Sequence, residues 1–170
     1  FLSTGLTRFP LEGYKEKCNT RTVIGGRFAK EPLVLETPIY ISGMSYGALS
    51  RNAKVALGRG ASLVGSATCT GDGGMLMDER EASNKLIYQV LPSRYGFDPN
   101  HLVQANAIEI VVGQGAKPGT GGMLMGIKIP DEIAQMRDLP TGIDQRSPAR
   151  HPDWLGPDDL SIKIDQLREA

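Results

Sequence analysis

Along this chain, short apolar runs closed by glycine alternate with stretches whose apolar residues recur at helical spacing. Residues 1–35 keep no period, because "GLTRFPLEGYKEKC" and "IGGRF" break it with turn formers. From Pro38 the pattern sharpens. "PIYISGM" (38–44) predicts a buried strand closed by Gly43. "ALSRNAKVALGRG" (48–60) predicts a helix capped by Ser50, with Ala53, Val55, Ala56 and Leu57 on apolar positions and Gly58 and Gly60 as its end. "ASLVGSAT" (61–68) predicts a second buried strand that runs into "CTGDGGMLM".

"EASNKLIYQVLPSRYG" (81–96) predicts a helix stopped near Pro92. "AIEIVVGQG" (107–115) is β-branched and bounded by glycine, and predicts a strand. "IPDEIAQMRDLP" (129–140) predicts a short helix, with proline and acids at its start and Arg137 near its end. In "GPDDLSIKIDQLREA" (156–170), Leu160, Ile164 and Leu167 fall on one helical stripe behind Asp158 and Asp159. That stripe needs a cover which no later residue here supplies, and the chain opens at Phe1, so it is expected to be part of a longer protein. Strands alternating with helices predict a parallel α/β sheet.

This order gives the glycines a place. "CTGDGGMLM" (69–77) and "QGAKPGTGGMLMG" (114–126) each follow a predicted strand, so each lies at a strand's carboxyl end, where parallel α/β folds bind ligands. Without a Cβ, glycine lets backbone N–H groups face a ligand closely. Tight surface turns would use the same residues. A P-loop is excluded because Lys117 is followed by Pro118. A dinucleotide fingerprint is excluded because "GQGAKP" lacks its third glycine.

Lys117 places a cation at this edge, as a ligand partner or as a solvated loop lysine. Asp72, between Gly71 and Gly73, can orient a substrate or exchange a proton, or close an Asx-turn. Met75, Met77, Met123 and Met125 can wall an apolar pocket or fill core. Arg146, Arg150, His151 and Asp153 form a polar cluster without metal-ligand spacing, so His151 reads as a hydrogen-bonding residue. Cys69 has no histidine nearby in sequence to make it a nucleophile.

Composition narrows the picture further. The 19 basic and 19 acidic residues balance, which argues against nucleic-acid or membrane-surface partners. No apolar run reaches the roughly 20 residues a membrane span needs. Two cysteines, Cys18 and Cys69, make neither a disulfide framework nor a structural zinc site, and a cytoplasmic setting is expected.

"ISGMSYGALS", "TGDGG", "VLPSRYGFDPNHLVQANAIEI", "GQGAKPGTGG" and "SPARHPDW…DDL" occur in the order found in the FMN-binding synthase domain of glutamate synthases, which residues 38–170 resemble. Residues 8–37, with "TRFPLEGYKEKC", are similar to stand-alone glutamate-synthase-like subunits, including the large subunit of N-methylglutamate synthase. The resemblance implies a (β/α)8 barrel, of which this chain supplies roughly the N-terminal half: a lead-in over 1–37, then barrel over 38–170. A complete barrel takes about 250 residues. It implies FMN, and a [3Fe-4S] cluster whose ligands lie beyond this chain, so the piece alone is expected to be inactive.

The resemblance also assigns roles. Gly43, Met44 and Ser45 run beneath the flavin, Gln114, Gly115 and Lys117 lie near flavin and keto acid, and Asp72, Gly121, Gly122 and Met123 face the substrate. Lys117 and Asp72 are the catalytic candidates. The reaction implied is reductive amination of 2-oxoglutarate by ammonia or methylamine, with separate amidotransferase-like and glutamate-synthase-like subunits. Three positions depart from glutamate synthases: Asp72 replaces a glutamate, Met123 a glutamine and Thr120 a glutamate. A less polar pocket suits an alkylamine. The competing expectations are another FMN barrel enzyme, such as a 2-hydroxy-acid oxidase, and a non-catalytic subunit-binding scaffold.

Overall fold

The structure is a computed structural model that describes residues 19–113 and 122–170. Its centre is a parallel sheet of three strands in sequential order, β3 (Thr68–Cys69), β4 (Leu86–Val90) and β5 (Ala107–Ile110). Before it come a hairpin, β1 (Thr22–Ile24) and β2 (Leu33–Leu35), and helix α1 (Arg51–Leu63). Helix α2 (Met77–Ala82) links β3 to β4, and α3 (Pro99–Gln104) links β4 to β5. After β5 come β6 (Met123–Leu124), α4 (Asp131–Arg137), β7 (Gln145–Arg146) and α5 (Pro157–Glu169), with β6 and β7 antiparallel. The expected parallel α/β arrangement is present.

β4 shows how the sheet separates two environments. Side chains alternate across a strand. Leu86, Tyr88 and Val90 join Met75, Leu102 of α3 and Leu167 of α5 in one core cluster. Ile87 faces the other way and packs with Cys69, Ala107, and Leu33 and Leu35 of the hairpin. Gln89, two positions on, is on the face of Ile87 but one layer nearer the strand's carboxyl end. Its register partner is Glu109, which accepts from Gln89 Nε2 at 2.6 Å and from the Tyr40 hydroxyl at 2.8 Å. An apolar row gives way to a polar row, and above the polar row the cavity opens.

Local chemistry explains several elements. Ser50 caps α1, its Oγ accepting from the amide of Ala53 at 3.3 Å. Asp98 caps α3 through the amide of Asn100, and Pro99 fills the first helical position. Asp131 and Glu132 open α4 and Arg137 closes it.

Four expectations are corrected. The helix expected to stop at Gly58 and Gly60 runs on to Leu63, because Gly58 is a packing contact: a Cβ there would lie 2.5 Å from Ser83 Oγ, just past α2. "ASLVGSAT" is therefore mostly the end of α1, with only Thr68 in a strand. "EASNKLIYQVLPSRYG" is not one helix; α2 ends at Ala82 and Leu86–Val90 is the central strand, whose short apolar run fits either period until both faces are buried. "PIYISGM" forms no assigned strand; it lies beside β3 through one backbone bond, Ile41 N to Ala67 O at 2.9 Å, with Ile39 exposed.

The stripe on α5 is also not left open. Leu167 is buried against the Leu86–Tyr88–Val90 cluster, and Leu160 and Ile164 are half-buried. No described helix is long and apolar enough to cross a membrane.

Candidate functional site

At the carboxyl ends of β3, β4 and β5 lies an open cavity of about 560 Å³. That is within the usual range for small-molecule sites. One wall is backbone: Gly43, Met44 and Ser45, beside the turn that carries Asp72. The two segments touch. Gly71 has φ +74°, and a Cβ there would sit 2.5 Å from the Ser45 nitrogen and 2.7 Å from the Met44 carbonyl carbon. Only glycine fits that approach. Leu49, Leu91, Pro92, Met123 and Leu124 supply apolar surface.

Asp72 is half-buried and held from two sides. Ser93, after β4, donates its hydroxyl to Oδ1, and Ser147, after β7, donates to Oδ2 at 3.0 Å. Its side chain is therefore fixed by distant hydroxyls, beyond the local Asx-turn role. Beneath the turn lies Arg137, only 5% exposed. Its Nη1 donates to Gln145 Oε1 at 3.2 Å and its Nη2 to Tyr46 O at 3.1 Å, while the Tyr95 ring lies 5.7 Å from the guanidinium carbon. Burial pushes the Arg137 pKa down, against the pull of the Asp72 carboxylate. The guanidinium stays charged, because its ordinary value is so high.

Gly73 explains the close packing over Arg137. Its φ is +108°, and a Cβ would lie 2.8 Å from Arg137 Nε. Among the described residues, Arg137 Nε and Gln145 Nε2 are buried without a hydrogen-bond partner. Both residues line the cavity. Arg137 Nε belongs to the buried guanidinium and lies against Gly73, so Gln145 Nε2 is the second unpaired donor next to that cation.

The sequence candidates divide. Gly43, Met44, Ser45, Asp72, Gly122 and Met123 all line the cavity. Gln114, Gly115, Lys117, Thr120 and Gly121, like Cys18, lie outside the described residues. Of the four methionines, Met75 is core, Met123 is at the cavity, and Met77 and Met125 are exposed. Burial pushes the Cys69 thiol up to about 12, so it stays protonated. His151 hydrogen-bonds Val111 O through Nε2 at 2.5 Å and stacks on Trp154, as a hydrogen-bonding residue. Asp153 pairs with Arg94 and Lys163, each at 2.7 Å.

Sequence reasoning missed Gln89, Ser93, Arg137, Gln145 and Ser147 as site residues. Arg137 was legible only as a helix-ending charge. Nothing in the spacing around Met136–Arg137–Asp138 announces burial.

The family model for the conserved region in glutamate synthase matches residues 9–170. The chain belongs to the glutamate synthase family. It is 64% identical over 169 residues to a glutamate synthase large subunit-like protein of Rhizobium meliloti, covering 99% of this chain and 38% of that protein. It is 42% identical over 138 residues to an archaeal-type glutamate synthase [NADPH] of Thermotoga sp., covering 81% and 27%. A ferredoxin-dependent glutamate synthase of Cyanidium caldarium is 34% identical over 152 residues, covering 75% and 10%. This glutamate synthase family chain thus spans well under half the length of these relatives.

The described residues can be tested against the family's cofactors. A cleft of about 560 Å³ with Gly43, Gly113 and Gly122 in its lining and Leu49, Leu91, Pro92 and Leu124 on its sides has room and apolar surface for a flat ring. No group of three or more His, Cys, Asp or Glu among the described residues could hold a metal ion. They do not fit an iron–sulfur cluster.

Proposed function

We propose that this chain is the N-terminal part of an FMN-dependent synthase that reductively aminates 2-oxoglutarate, of the glutamate synthase or N-methylglutamate synthase type. The observation that carries the proposal is the placement at one cavity of the Asp72 carboxylate and buried Arg137, whose Nη2 lies 3.5 Å from the Asp72 backbone oxygen. In this reading residues 38–170 begin a (β/α)8 barrel, and later parts of the protein complete it and carry the [3Fe-4S] cluster. The setting is cytoplasmic, with amidotransferase-like and glutamate-synthase-like partner subunits.

When bound, FMN supplies the hydride that reduces the imine formed from the keto acid and the amine. The Gly43–Ser45 backbone, which lines the cavity and is backed by the Gly71 turn, would hold the ring. Arg137, which lines the cavity beneath the Asp72 turn, supplies the positive charge toward a carboxylate of 2-oxoglutarate, with Gln145 beside it. Asp72, fixed by Ser93 and Ser147, orients the amine and exchanges a proton at its nitrogen. Leu91, Pro92 and Leu124 exclude water from the reacting centre. Lys117 adds a second cation near the keto acid.

Met123 supports the methylamine branch, because it presents a thioether at the cavity where glutamate synthases carry an amide. One methyl group in such a wall is worth about 1 kcal/mol, so selectivity is several-fold.

The test uses the full-length protein. Its visible spectrum should show a bound flavin that is released as FMN. Turnover of 2-oxoglutarate with methylamine and ammonia in competition should give amino-acid product with methylamine favoured. A colourless protein with neither product would sink the proposal. Strong preference for ammonia would overturn only the branch.

A further inference from the structure

Lys54 is a charged residue on the buried face of α1, 2% exposed, and it does not line the cavity. Its Nζ donates to Met44 O at 2.7 Å and to Thr70 O at 2.9 Å. Glu79 Oε2, on α2, lies 3.0 Å away with its side chain 3% exposed. The ammonium thus donates to two backbone carbonyls, and Glu79 Oε2 is an ion-pair contact without hydrogen-bond geometry. Burying a lysine costs several kcal/mol unless it is paired and hydrogen-bonded, and an apolar side chain would fill the space more cheaply. The arrangement needs a reason beyond stability.

The two carbonyls supply one. Met44 belongs to the backbone wall of the cavity, and Thr70 immediately precedes the Gly71–Asp72 turn. Residues 42–44 have no backbone hydrogen bond to β3 among the described residues; the last one is Ile41 N to Ala67 O. The Gly71 turn presses against Met44 and Ser45 but does not bond them. Lys54 therefore ties Met44 of the wall to the strand end that carries Asp72, while Arg137 Nη2 bridges the next residues along, Tyr46 O and Asp72 O.

We infer that Lys54, neutralised by Glu79, is a positioning residue that presets the Gly43–Ser45 wall against the Thr70–Asp72 turn before any ligand enters. The inference rests on the flavin reading only for what the wall serves. Glu79 supplies the compensating charge and leaves both carbonyl bonds to Lys54. Without Lys54, the Met44 peptide loses its anchor while the core clusters remain.

The test compares full-length wild type, the single variant Glu79→Gln, and the double variant Lys54→Met/Glu79→Leu, which replaces the ion pair with apolar side chains and strands no charge. Hydrogen exchange is measured on flavin-stripped protein. In the double variant, amides over residues 44–48 should exchange about 10-fold faster, the scale of one hydrogen bond to a charged donor. Those of β4 should keep wild-type protection. Flavin dissociation should rise by about the same factor. Glu79→Gln keeps the carbonyl bonds, so protection at 44–48 should survive.

A folded double variant with wild-type exchange and flavin binding would overturn the inference. So would Glu79→Gln losing protection over 44–48 while β4 keeps it. Should wild type hold no flavin yet show the exchange difference, only the flavin reading fails.

Discussion

Ser147 donates its hydroxyl to Asp72 Oδ2 at 3.0 Å across 75 positions of sequence. Ser93 donates to the other oxygen. The carboxylate is thus oriented by two loops that follow different strands, and its direction does not depend on its own turn. Two hydroxyls thus hold the short Asp72 side chain in one direction. Replacing Ser147 by alanine removes one donor without disturbing a core residue. The full-length enzyme should keep its melting temperature and lose about 10-fold in kcat/KM, the range of one hydrogen bond to a charge. Unchanged kcat/KM would mean that Asp72 is not aimed by Ser147.

Arg137 has two roles that one substitution can separate. It braces Tyr46 O and Gln145, and it presents a charge to the cavity. Arg137→Lys keeps a cation but loses the planar fork. KM for 2-oxoglutarate should rise about 10-fold, the scale of one hydrogen bond to a charged group, with folding retained. A wild-type KM would remove Arg137 from substrate binding.

Gly73→Ala tests the packing over that arginine. The new Cβ would meet Arg137 Nε at 2.8 Å from a backbone at φ +108°. Strain of this kind costs about 1–3 kcal/mol. Chemical denaturation should show a loss of that size, and a variant as stable as wild type would contradict the contact.

The Glu79 carboxyl gives a pH signature. Desolvation raises its pKa to about 7, and attraction to Lys54 only partly opposes this. An acid whose folded-state pKa is raised binds its proton more tightly when folded. Its contribution to stability is full below the unfolded value and is lost as pH rises through about 7. Melting temperature measured from pH 4 to 8 should therefore fall more steeply toward pH 7 in wild type than in Glu79→Gln. Parallel profiles would show that Glu79 does not titrate in this window.

Leu167 fastens α5 to the Leu86–Tyr88–Val90 cluster. Leu167→Ala should destabilise the full-length protein by about 2–3 kcal/mol, at the lower end for a buried leucine because the site is at the cluster's edge. A change below the error of the melt would mean that α5 is not docked.

The alternation of apolar runs and helical stretches, read alone, determined a parallel α/β class, the cap at Ser50, the strand at Ala107–Ile110, the helices at 131–137 and 157–169, and the glycine turn carrying Asp72. These follow from local chemistry: a capping oxygen, a β-branched run, a missing Cβ. Tertiary structure decided the rest. Leu86–Val90 became a strand because both its faces found partners, and five apolar-leaning residues cannot by themselves choose between periods. Gly58 stayed inside a helix because another segment needed its space. Arg137, Gln145, Ser93 and Ser147 met Asp72 only after the chain had closed loops of 21 to 75 residues. Burial that brings a helix-ending arginine under the Asp72 turn is a property of those closures. No spacing in the sequence encodes it, because the residues that exclude water from Arg137 are not its neighbours in the chain.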